Sequence, residues 1–300
     1  MKGKGLFNNR NRAFFPIAIW VLMFVWCAIF FVMFFWGILT SLKTQTSFWM
    51  DPVGLPMEEF GGWRFDNYLL VFQYVRQNIP AGRWVYLPEM LYNTLFYCLV
   101  YGLIILIGPM ITSYVYSKYA KKEPWVRIVW IIFMINTYVP LSASLGASIR
   151  LAMQMGYYDN LYLFTFVHLS GFGGSFLIYY AIWKGLSWDY AEAAIMDGAG
   201  PWTVFLRVMF PMTKTVFIVL YVTEIVGLWA NYTTPMIYLR SYPTLAVGVF
   251  NFQQSYEAGA ASSVPVKVAA LITVAVPMFA LFMVFREKMM GTLTLGGLKG

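Results

Sequence analysis

An unbroken apolar stretch without a single charge, residues 14–39, constrains this chain more than any other feature. A helix of about 20 apolar residues crosses the roughly 30 Å hydrocarbon core of a bilayer, because each residue advances about 1.5 Å. The stretch is longer than the apolar region of a secretory signal, and no small-x-small cleavage site follows it. We therefore expect a transmembrane helix that is retained in the mature protein.

The composition argues against most classes of soluble protein. Hydrophobic residues make up 60% of the 300 residues and charged residues 11%, whereas a soluble domain has about half and about a quarter. The two cysteines, Cys27 and Cys98, lie in apolar runs without a CxxC partner, and there is one histidine. A disulfide framework, a zinc site and a histidine-based catalytic triad are disfavoured accordingly.

The hydropathy pattern predicts an all-α, polytopic membrane protein with six transmembrane helices. The fifth and sixth of these helices each carry a charged residue, Glu224 and Lys267. The fourth contains Gly171-Phe172-Gly173-Gly174, where we expect the glycines to allow close helix packing. The six predicted spans are approximately residues 14–39, 91–117, 125–149, 161–183, 216–238 and 264–285.

The distribution of positive charge predicts the orientation. Six spans place both termini on one side of the membrane, and 14 of the 21 Lys and Arg residues fall on that side. The positive-inside rule therefore assigns both termini to the cytoplasm. The expected organisation is a cytoplasmic N-terminus (1–13), a first helix (14–39), an extracytoplasmic loop (40–90), a five-helix core (91–285) that includes a cytoplasmic loop (184–215), and a cytoplasmic tail (286–300).

No nucleotide-binding or catalytic motif is recognisable. The nearest approach to a phosphate-binding loop ends in Lys43-Thr44, but Leu42 occupies the position that requires the second glycine. HExxH, GxSxG and paired carboxylates in a polar setting are all missing from the sequence. We expect no enzymatic activity, cofactor or metal in this chain, so ATP would have to bind another subunit if it drives transport.

The cytoplasmic loop contains a segment, Asp189–Thr215, that predicts two short helices at an angle. In the first, Asp189 and Glu192 have the spacing of a capping box, and Gly198 is placed to end the helix in the left-handed conformation. Its small alanine side chains would let a partner surface approach closely. An interfacial helix that rests on lipid headgroups is the alternative.

The second helix of this loop is bounded by prolines. Pro201 suits its first position, and Pro211 is expected to end it. Its apolar side chains have helical spacing, which indicates packing against the protein or the membrane interface: Trp202, Phe205, Val208 and Met209.

The pattern Glu192-Ala193-Ala194, Gly198 and Val208-x-Phe210-Pro211 resembles the EAA motif of binding-protein-dependent ABC importer permeases. The family has Ile and Leu where this chain has Val208 and Phe210, and often a second proline where it has Thr215. The resemblance extends over nearly the whole chain, and the tail is similar to that of maltose-type (MalG-like) carbohydrate permeases. These further segments are Phe65–Tyr68, Asn93–Leu95, Gly227–Tyr232 with Pro235, and 291–300.

The resemblance implies a type I ABC importer permease fold, import of a sugar or oligosaccharide, and a bacterial plasma membrane. A second, MalF-like permease would complete the translocation path, and two ABC ATPase subunits would bind ATP and Mg. An extracytoplasmic sugar-binding protein would deliver the substrate, and no nucleic acid would be involved. The implied ATPase-coupling contact consists of Glu192, Ala193, Ala194, Asp197 and Gly198.

Polar residues within the predicted spans are candidates for the translocation path. Glu224 either lines that path or pairs with the partner subunit, or it is a protonated carboxyl group between helices. Other candidates are Asn136, Asn231 and Thr233, although such side chains often only join helices. Charged side chains near span ends are expected to reach the outer surface, namely Arg150 and Lys267.

Two other functions compete with a sugar importer. In a stand-alone proton-coupled secondary transporter, Glu224 and His168 would form a proton relay. The sequence shows no internal repeat and few intramembrane charges, and His168 also fits a packed, hydrogen-bonded position. A membrane-embedded enzyme is disfavoured because no catalytic constellation is present.

Overall fold

The computed structural model of the chain describes residues 9–120, 124–138, 145–169, 173–255 and 263–293. The described residues are predominantly helical, which confirms the expected helical class. One exception is a short antiparallel hairpin. The chain divides into two compact units, residues 1–74 with 253–275, and residues 75–252 with 276–300.

The first unit contains a long apolar helix whose side chains are mostly exposed. Its helix α1 (Asn9–Ser41) includes the apolar segment Pro16–Ser41, which contains an 18-residue stretch with no buried residue, whereas Thr40 and Ser41 at its end are buried. Such a helix is stable only in hydrocarbon or against a partner. The other elements are α2 (Gln45–Met50), a 3₁₀ turn (Glu58–Phe60), α3 (Asp66–Tyr74) and the beginning of α15 (Val264–Leu293).

Side chains hold the segment after α1 in place by binding backbone carbonyl groups. The Asn67 amide donates hydrogen bonds to the carbonyl oxygens of Ser41 and Lys43, both over 2.8 Å. The Lys43 ammonium in turn donates to the Asp51 carbonyl oxygen over 2.6 Å. The Phe65–Tyr68 segment, which carries part of the family resemblance, therefore contains a residue that fixes the chain as it leaves α1.

The sequence predicts that Lys267 extends to the outer surface, but its ammonium group is bound within the chain. Its ammonium donates hydrogen bonds to the carbonyl oxygens of Gln253 and Ser255, over 2.8 and 3.0 Å. Carbonyl groups at the end of a helix lack intrahelical partners and attract positive charge. The lysine therefore satisfies the backbone there, and this contact could not be foreseen from its position in an apolar run.

The second unit is built around one long helix. Residues Leu87–Tyr119 form a continuous 33-residue helix that is half buried. It consists of α4 (Leu87–Phe96), a π segment (Tyr97–Tyr101) and α5 (Gly102–Tyr119). The remaining elements are β1 (Arg76–Asn78), β2 (Trp84–Tyr86), α6 (Pro124–Tyr138), α7 (Leu145–Gln154), α8 (Leu161–Val167), α9 (Phe176–Gly185), α10 (Asp189–Met196), α11 (Pro201–Thr203), a second π segment (Val204–Met209), α12 (Phe210–Ala230), α13 (Thr233–Tyr238) and α14 (Leu245–Gln254).

The long helix crosses α12 closely at Gly102. A Cβ atom at this position would lie 3.1 Å from Leu228 Cδ1, so a larger residue would require Leu228 to shift. The Tyr221 hydroxyl donates to the Leu99 carbonyl oxygen over 2.7 Å. A π segment has irregular backbone bonding, and here a side chain from the neighbouring helix supplies an extra hydrogen bond.

Four helices of the described residues are long and apolar enough to span a bilayer: Pro16–Ser41, Leu87–Tyr119, Pro201–Ala230 and Val264–Glu287. The predicted span 161–183 is not a continuous helix, and the structure describes the predicted span 125–149 only in part. Span 125–149 comprises α6 and α7, with residues 139–144 outside the described part, and span 161–183 comprises α8 and α9. Gly173, Gly174 and Ser175 are not in a helix, although the sequence placed them within the fourth span. Gly171 and Phe172 lie outside the described residues.

The predicted fifth span also ends earlier than expected. Helix α12 stops at Ala230, and α13 follows as a separate short helix. The Asn231 carboxamide oxygen accepts the Thr234 backbone N–H over 3.0 Å and thereby starts the new helix. A local cap of this kind competes with continuation of the helix, and hydropathy alone does not reveal it.

A buried threonine connects α4 to the beginning of α14. Thr94 Oγ1 donates to the Met90 carbonyl oxygen over 2.7 Å and accepts the Leu245 N–H over 2.8 Å. Thr94→Val should destabilise the fold by about 1–3 kcal/mol, because the Leu245 N–H would remain buried without an acceptor. Thermal unfolding in detergent measures the effect.

The matched control for this prediction is Thr223→Val. The Thr223 hydroxyl is exposed and donates only to the Val219 carbonyl oxygen of its own helix. The unfolding midpoint of the Thr223→Val variant should remain close to that of the wild type. Equal midpoints for the Thr94 and Thr223 variants would contradict the role assigned to Thr94.

Candidate functional site

Helix α10 ends as the sequence predicts. Gly198 has a φ of +84°, in the left-handed region that a side chain disfavours. The Gly198 N–H donates to the Ile195 carbonyl oxygen and the Ala199 N–H to that of Ala194, both over 2.9 Å. These two bonds form a Schellman motif, which ends α10 sharply and turns the chain toward Pro201.

The beginning of α10 differs from the predicted capping box. Asp189 is the first residue of the helix and not its cap, and the Ser187 hydroxyl oxygen accepts the Asp189 N–H over 3.2 Å. The side chains of Asp189 and Glu192 are exposed. The N-cap residue is Trp188, which makes no side-chain capping bond, so the Ser187 contact precedes the helix and the predicted capping box does not form.

One face of α10 packs against the rest of the second unit through the buried Ala191 and the partly buried Ala194, so Ala194 lies on this face and not with the exposed residues of the predicted coupling contact. Ala191 has no exposed surface and belongs to a cluster formed with α5, α9 and the second π segment. Within this cluster the Tyr114 ring lies 5.3 Å from Trp183 and 4.9 Å from Phe205, centroid to centroid. The small side chain of Ala191 lets the helix approach this aromatic layer closely.

A second contact fixes the link between α9 and α10. The Lys118 ammonium, at the end of α5, donates to the Leu186 carbonyl oxygen over 2.6 Å. Helix α10 is therefore connected to the long helix Leu87–Tyr119 by a charged hydrogen bond as well as by the aromatic cluster. A displacement of α10 must move the ends of α5 and α9, since both contacts are close and directional.

The opposite face of α10 is exposed and partly apolar; we call it the α10 surface, defined as Glu192, Ala193, Ile195, Met196 and Asp197. Met196 is 87% exposed, more than any other large hydrophobic side chain described, and Ile195 is 47% exposed. Exposed apolar residues bordered by acids are typical of a surface that binds another protein. Ile195 and Met196 were not among the residues predicted from the sequence, although two large apolar residues after an alanine run were a visible signal.

The second helix of the loop does not end at Pro211. Residues Pro201–Ala230 form one helix, with the π segment Val204–Met209 directly before the proline. The Phe210 N–H reaches the Phe205 carbonyl oxygen, five residues back. The wider π turn accommodates a proline that cannot continue the regular pattern. Phe205 and Met209 are buried as expected, whereas Trp202 is 65% exposed.

A comparison with solved structures identifies the fold. The chain superposes on a chain of a bacterial ABC transporter involved in the import of the acidic polysaccharide alginate, with a TM-score of 0.73 and 17% identity, covering 95% of this chain and 99% of the other. The chain has the fold of an ABC importer permease. No protein-family model matches it.

Curated relatives agree with this permease fold and confirm the resemblance noted in the sequence. The diacetylchitobiose uptake permease NgcG of Streptomyces coelicolor is 23% identical over 92% of this chain and 86% of its own length. The probable starch degradation products permease AmyC of Thermoanaerobacterium thermosulfurigenes is 25% identical over 79% and 80%. The arabinooligosaccharide permease AraQ of Bacillus subtilis is 25% identical over 79% of each chain.

Within the permease fold, the four candidates for the translocation path have different environments. Glu224 is half-buried in α12, within electrostatic range of Tyr101 and Tyr179. Asn231 caps α13 and also donates to the Thr234 hydroxyl over 3.1 Å, which is a structural task. Thr233 is exposed, and the side chain of Asn136 lies outside the described part.

His168 occupies a packed, hydrogen-bonded position, which was one of its two predicted roles; the other was a proton relay. Its Nδ1 atom lies 2.6 Å from the Phe164 carbonyl oxygen at the end of α8, and its ring contacts Phe164 and Tyr101 at centroid distances of 4.3 and 5.6 Å. None of its described contacts is with Glu224. The geometry of the described residues therefore gives no support to a relay between these two groups.

The two faces of α10 should respond differently to the same substitution. Ala191→Leu should destabilise the docking of α10 by about 1–3 kcal/mol, because the added carbon atoms overfill a close-packed cluster. Tryptic cleavage at the exposed Lys184 and Arg207 should then be faster than in the wild type.

Ala193→Leu serves as the control for this experiment, since Ala193 is exposed on the same helix. Its cleavage rate should match that of the wild type. If both leucine variants are cleaved at the wild-type rate, Ala191 does not anchor the helix.

Proposed function

We propose that the chain is one transmembrane permease subunit of an ABC importer for a sugar or oligosaccharide. Its relatives are permease subunits of such importers, and its fold is that of an ABC importer permease. The observation that supports this most directly is the α10 surface, which is anchored on one side and exposed on the other. A second, MalF-like permease would complete a path of six spans from each partner.

In the proposed mechanism, the α10 surface is the contact with a cytoplasmic ATPase subunit that binds ATP and Mg. Ala193, Ile195 and Met196 would enter a cleft of that subunit, and Glu192 and Asp197 would meet positive charge at its border. Closure of the ATPase dimer would displace α10. Ala191 and Lys118 would transmit the displacement to α5 and α9, so that one two-state element responds to two sites.

The proposed orientation follows from this role. The α10 surface would lie in the cytoplasm, with both termini on the same side of a bacterial plasma membrane, and residues 40–90 would lie outside. The charge distribution of the sequence supports that assignment. An extracytoplasmic binding protein would deliver the sugar to the outer face, and this chain itself would hold no cofactor.

Gly198→Val tests the coupling contact. A β-branched residue at a φ of +84° is strained by about 1–3 kcal/mol, so the end of α10 and the position of Asp197 should change. We expect the variant to co-purify with the second permease and the ATPase, but to lose binding-protein-stimulated ATP hydrolysis by about tenfold or more. Proteoliposomes that contain the assembled transporter provide both measurements.

Gly185→Val is the matched control. Gly185 ends α9 on the same loop, without a positive φ, and no atom lies within 4 Å of the point that an added Cβ atom would occupy. Its stimulated hydrolysis should remain near the wild-type value. Full stimulation in Gly198→Val would remove the coupling assignment, and sugar uptake by the lone chain without an ATPase would overturn the proposed function as a whole.

A further inference from the structure

A cavity of about 470 Å³ lies where three helices of the second unit begin or end. Its lining includes Tyr119, the last residue of the helix Leu87–Tyr119, and Pro201, the first residue of the helix Pro201–Ala230. Trp125, the second residue of α6, also lines it. Because both long helices are apolar enough to span a bilayer, we expect their ends, and the cavity beside them, at the boundary between hydrocarbon and headgroups.

The wall of this cavity is apolar and rich in aromatic rings. Five of the eight lining residues are aromatic, and the other three are aliphatic. Trp125 and Trp202 are 57% and 65% exposed, so the described part of the chain gives their rings little cover. Tryptophan is enriched at the membrane boundary, where its ring contacts acyl chains and its N–H can bond to polar groups. A flexible hydrocarbon chain fits such a wall, whereas the hydroxyl groups of a sugar would find few partners.

The charge around the cavity is positive. Among the described residues within two positions of a lining residue, the charged ones are Lys118, Arg127 and Arg207. The two arginines have exposed side chains and form no ion pair with any described residue. The Lys118 ammonium binds a carbonyl group, which leaves its charge uncompensated. Because arginine side chains can extend along an apolar surface, both guanidinium groups can reach the headgroup level.

The apolar wall and the positive charge together define the ligand. A water-soluble anion would leave the aromatic wall uncovered, and an uncharged lipid would leave the arginines without a counter-charge. An anionic phospholipid satisfies both, because its acyl chain can occupy the cavity while its phosphate lies beside the guanidinium groups. The surrounding bilayer presents such lipids at the cavity, and basic residues near the membrane surface attract them.

We infer that this cavity binds the acyl chain of an anionic phospholipid such as phosphatidylglycerol, whose phosphate binds Arg127 and Arg207. The inference goes beyond the proposed function, because it depends on the membrane spans and not on the transported substrate. In the proposed orientation, the lipid belongs to the cytoplasmic leaflet.

The bound lipid adjoins the contact that anchors α10. Tyr114 and Phe205 line the cavity and also belong to the cluster that buries Ala191. The Trp202 ring, which lines the cavity as well, lies 6.3 Å from Phe205, centroid to centroid. An acyl chain against these rings restricts their movement and thereby supports the packing of α10 on α5.

The test is a lipid titration of the complete, delipidated transporter complex, followed by native mass spectrometry. Dioleoyl phosphatidylglycerol should bind more tightly than dioleoyl phosphatidylcholine, which has the same acyl chains but no net charge. Arg127→Ala and Arg207→Ala should each raise the Kd for phosphatidylglycerol about fivefold, because each removes one cation from the headgroup level. The Kd for phosphatidylcholine should change much less.

Val115→Phe tests the cavity separately from the charges. Val115 lines the cavity and is only partly buried, so a larger ring can fill the space without removing a cation. The Kd should rise about threefold or more for both lipids, because the acyl chain loses its place in a filled cavity.

Lys214→Ala is the matched control for the arginine variants. Lys214 is exposed and basic, belongs to the same long helix as Arg207, and does not line the cavity. The Kd of this variant for phosphatidylglycerol should stay within about twofold of the wild type. An effect as large as that of the arginine variants would indicate general attraction to a positive surface and would overturn the inference.

Three further outcomes overturn the inference. One is equal binding of the two lipids by the wild-type complex, as expected if the second permease covers the cavity. Another is an unchanged Kd for phosphatidylglycerol in both arginine variants or in Val115→Phe. The third is displacement of phosphatidylglycerol by inorganic phosphate, since the ligand would then be a free anion. Binding-protein-stimulated ATP hydrolysis by the same complex is measured in parallel, so failure of the proposed function is recognised separately.

Discussion

The burial of Ala191 against the aromatic layer of α5 and α9 is the contact on which the transmission of movement from α10 depends. A short helix on a loop transmits a displacement only if one face is rigidly attached, and a methyl group allows the closest attachment that a side chain permits. The centroids of the Trp183 and Phe205 rings lie 6.0 Å apart, with the ring planes tilted by 49°. Close-packed interiors resist compression, so in the proposed coupling a displacement of α10 would pass to α5 and α9.

The membrane environment explains why irregular stretches of backbone have side-chain partners. Hydrocarbon cannot supply hydrogen bonds to free N–H and C=O groups, and each unsatisfied group costs several kcal/mol. The chain nevertheless departs from regular α-helical bonding at the π segments, and it breaks the helix between α12 and α13. Tyr221 and Asn231 donate or accept hydrogen bonds at two of these points. At both points a neighbouring side chain compensates for the irregularity.

The features of the site that could be predicted from the sequence are those set by local chemistry. Gly198 and Pro201 have backbone requirements that few other residues share, and both occupy the predicted positions. The predicted effect of Pro211 was wrong, because a π segment can accommodate a proline and a regular helix cannot. The predicted capping box was also wrong, because α10 begins at Asp189 itself, after a Trp188 N-cap that makes no side-chain capping bond.

Features that depend on contacts between distant residues could not be predicted. The hydrogen bonds of Asp159 with Ser241 join residues 82 positions apart, and neither residue has an unusual sequence context. Hydropathy likewise located the apolar segment 161–183, but not the interruption between α8 and α9. His168 is the residue that follows α8, and its Nδ1 atom lies 2.6 Å from the Phe164 carbonyl oxygen.

The Lys and Arg residues assigned to the outer side of the membrane differ in the contacts that their side chains form. The positive-inside rule treats these residues as equivalent, since it depends only on their number. In the structure, Lys43 and Lys267 bind backbone carbonyl groups, Arg83 binds Glu89, and the Arg76 guanidinium lies 4.7 Å from the centroid of the Trp84 ring. These four charges stabilise the chain itself. Arg240, by contrast, has an exposed side chain that forms no ion pair with any of the described residues.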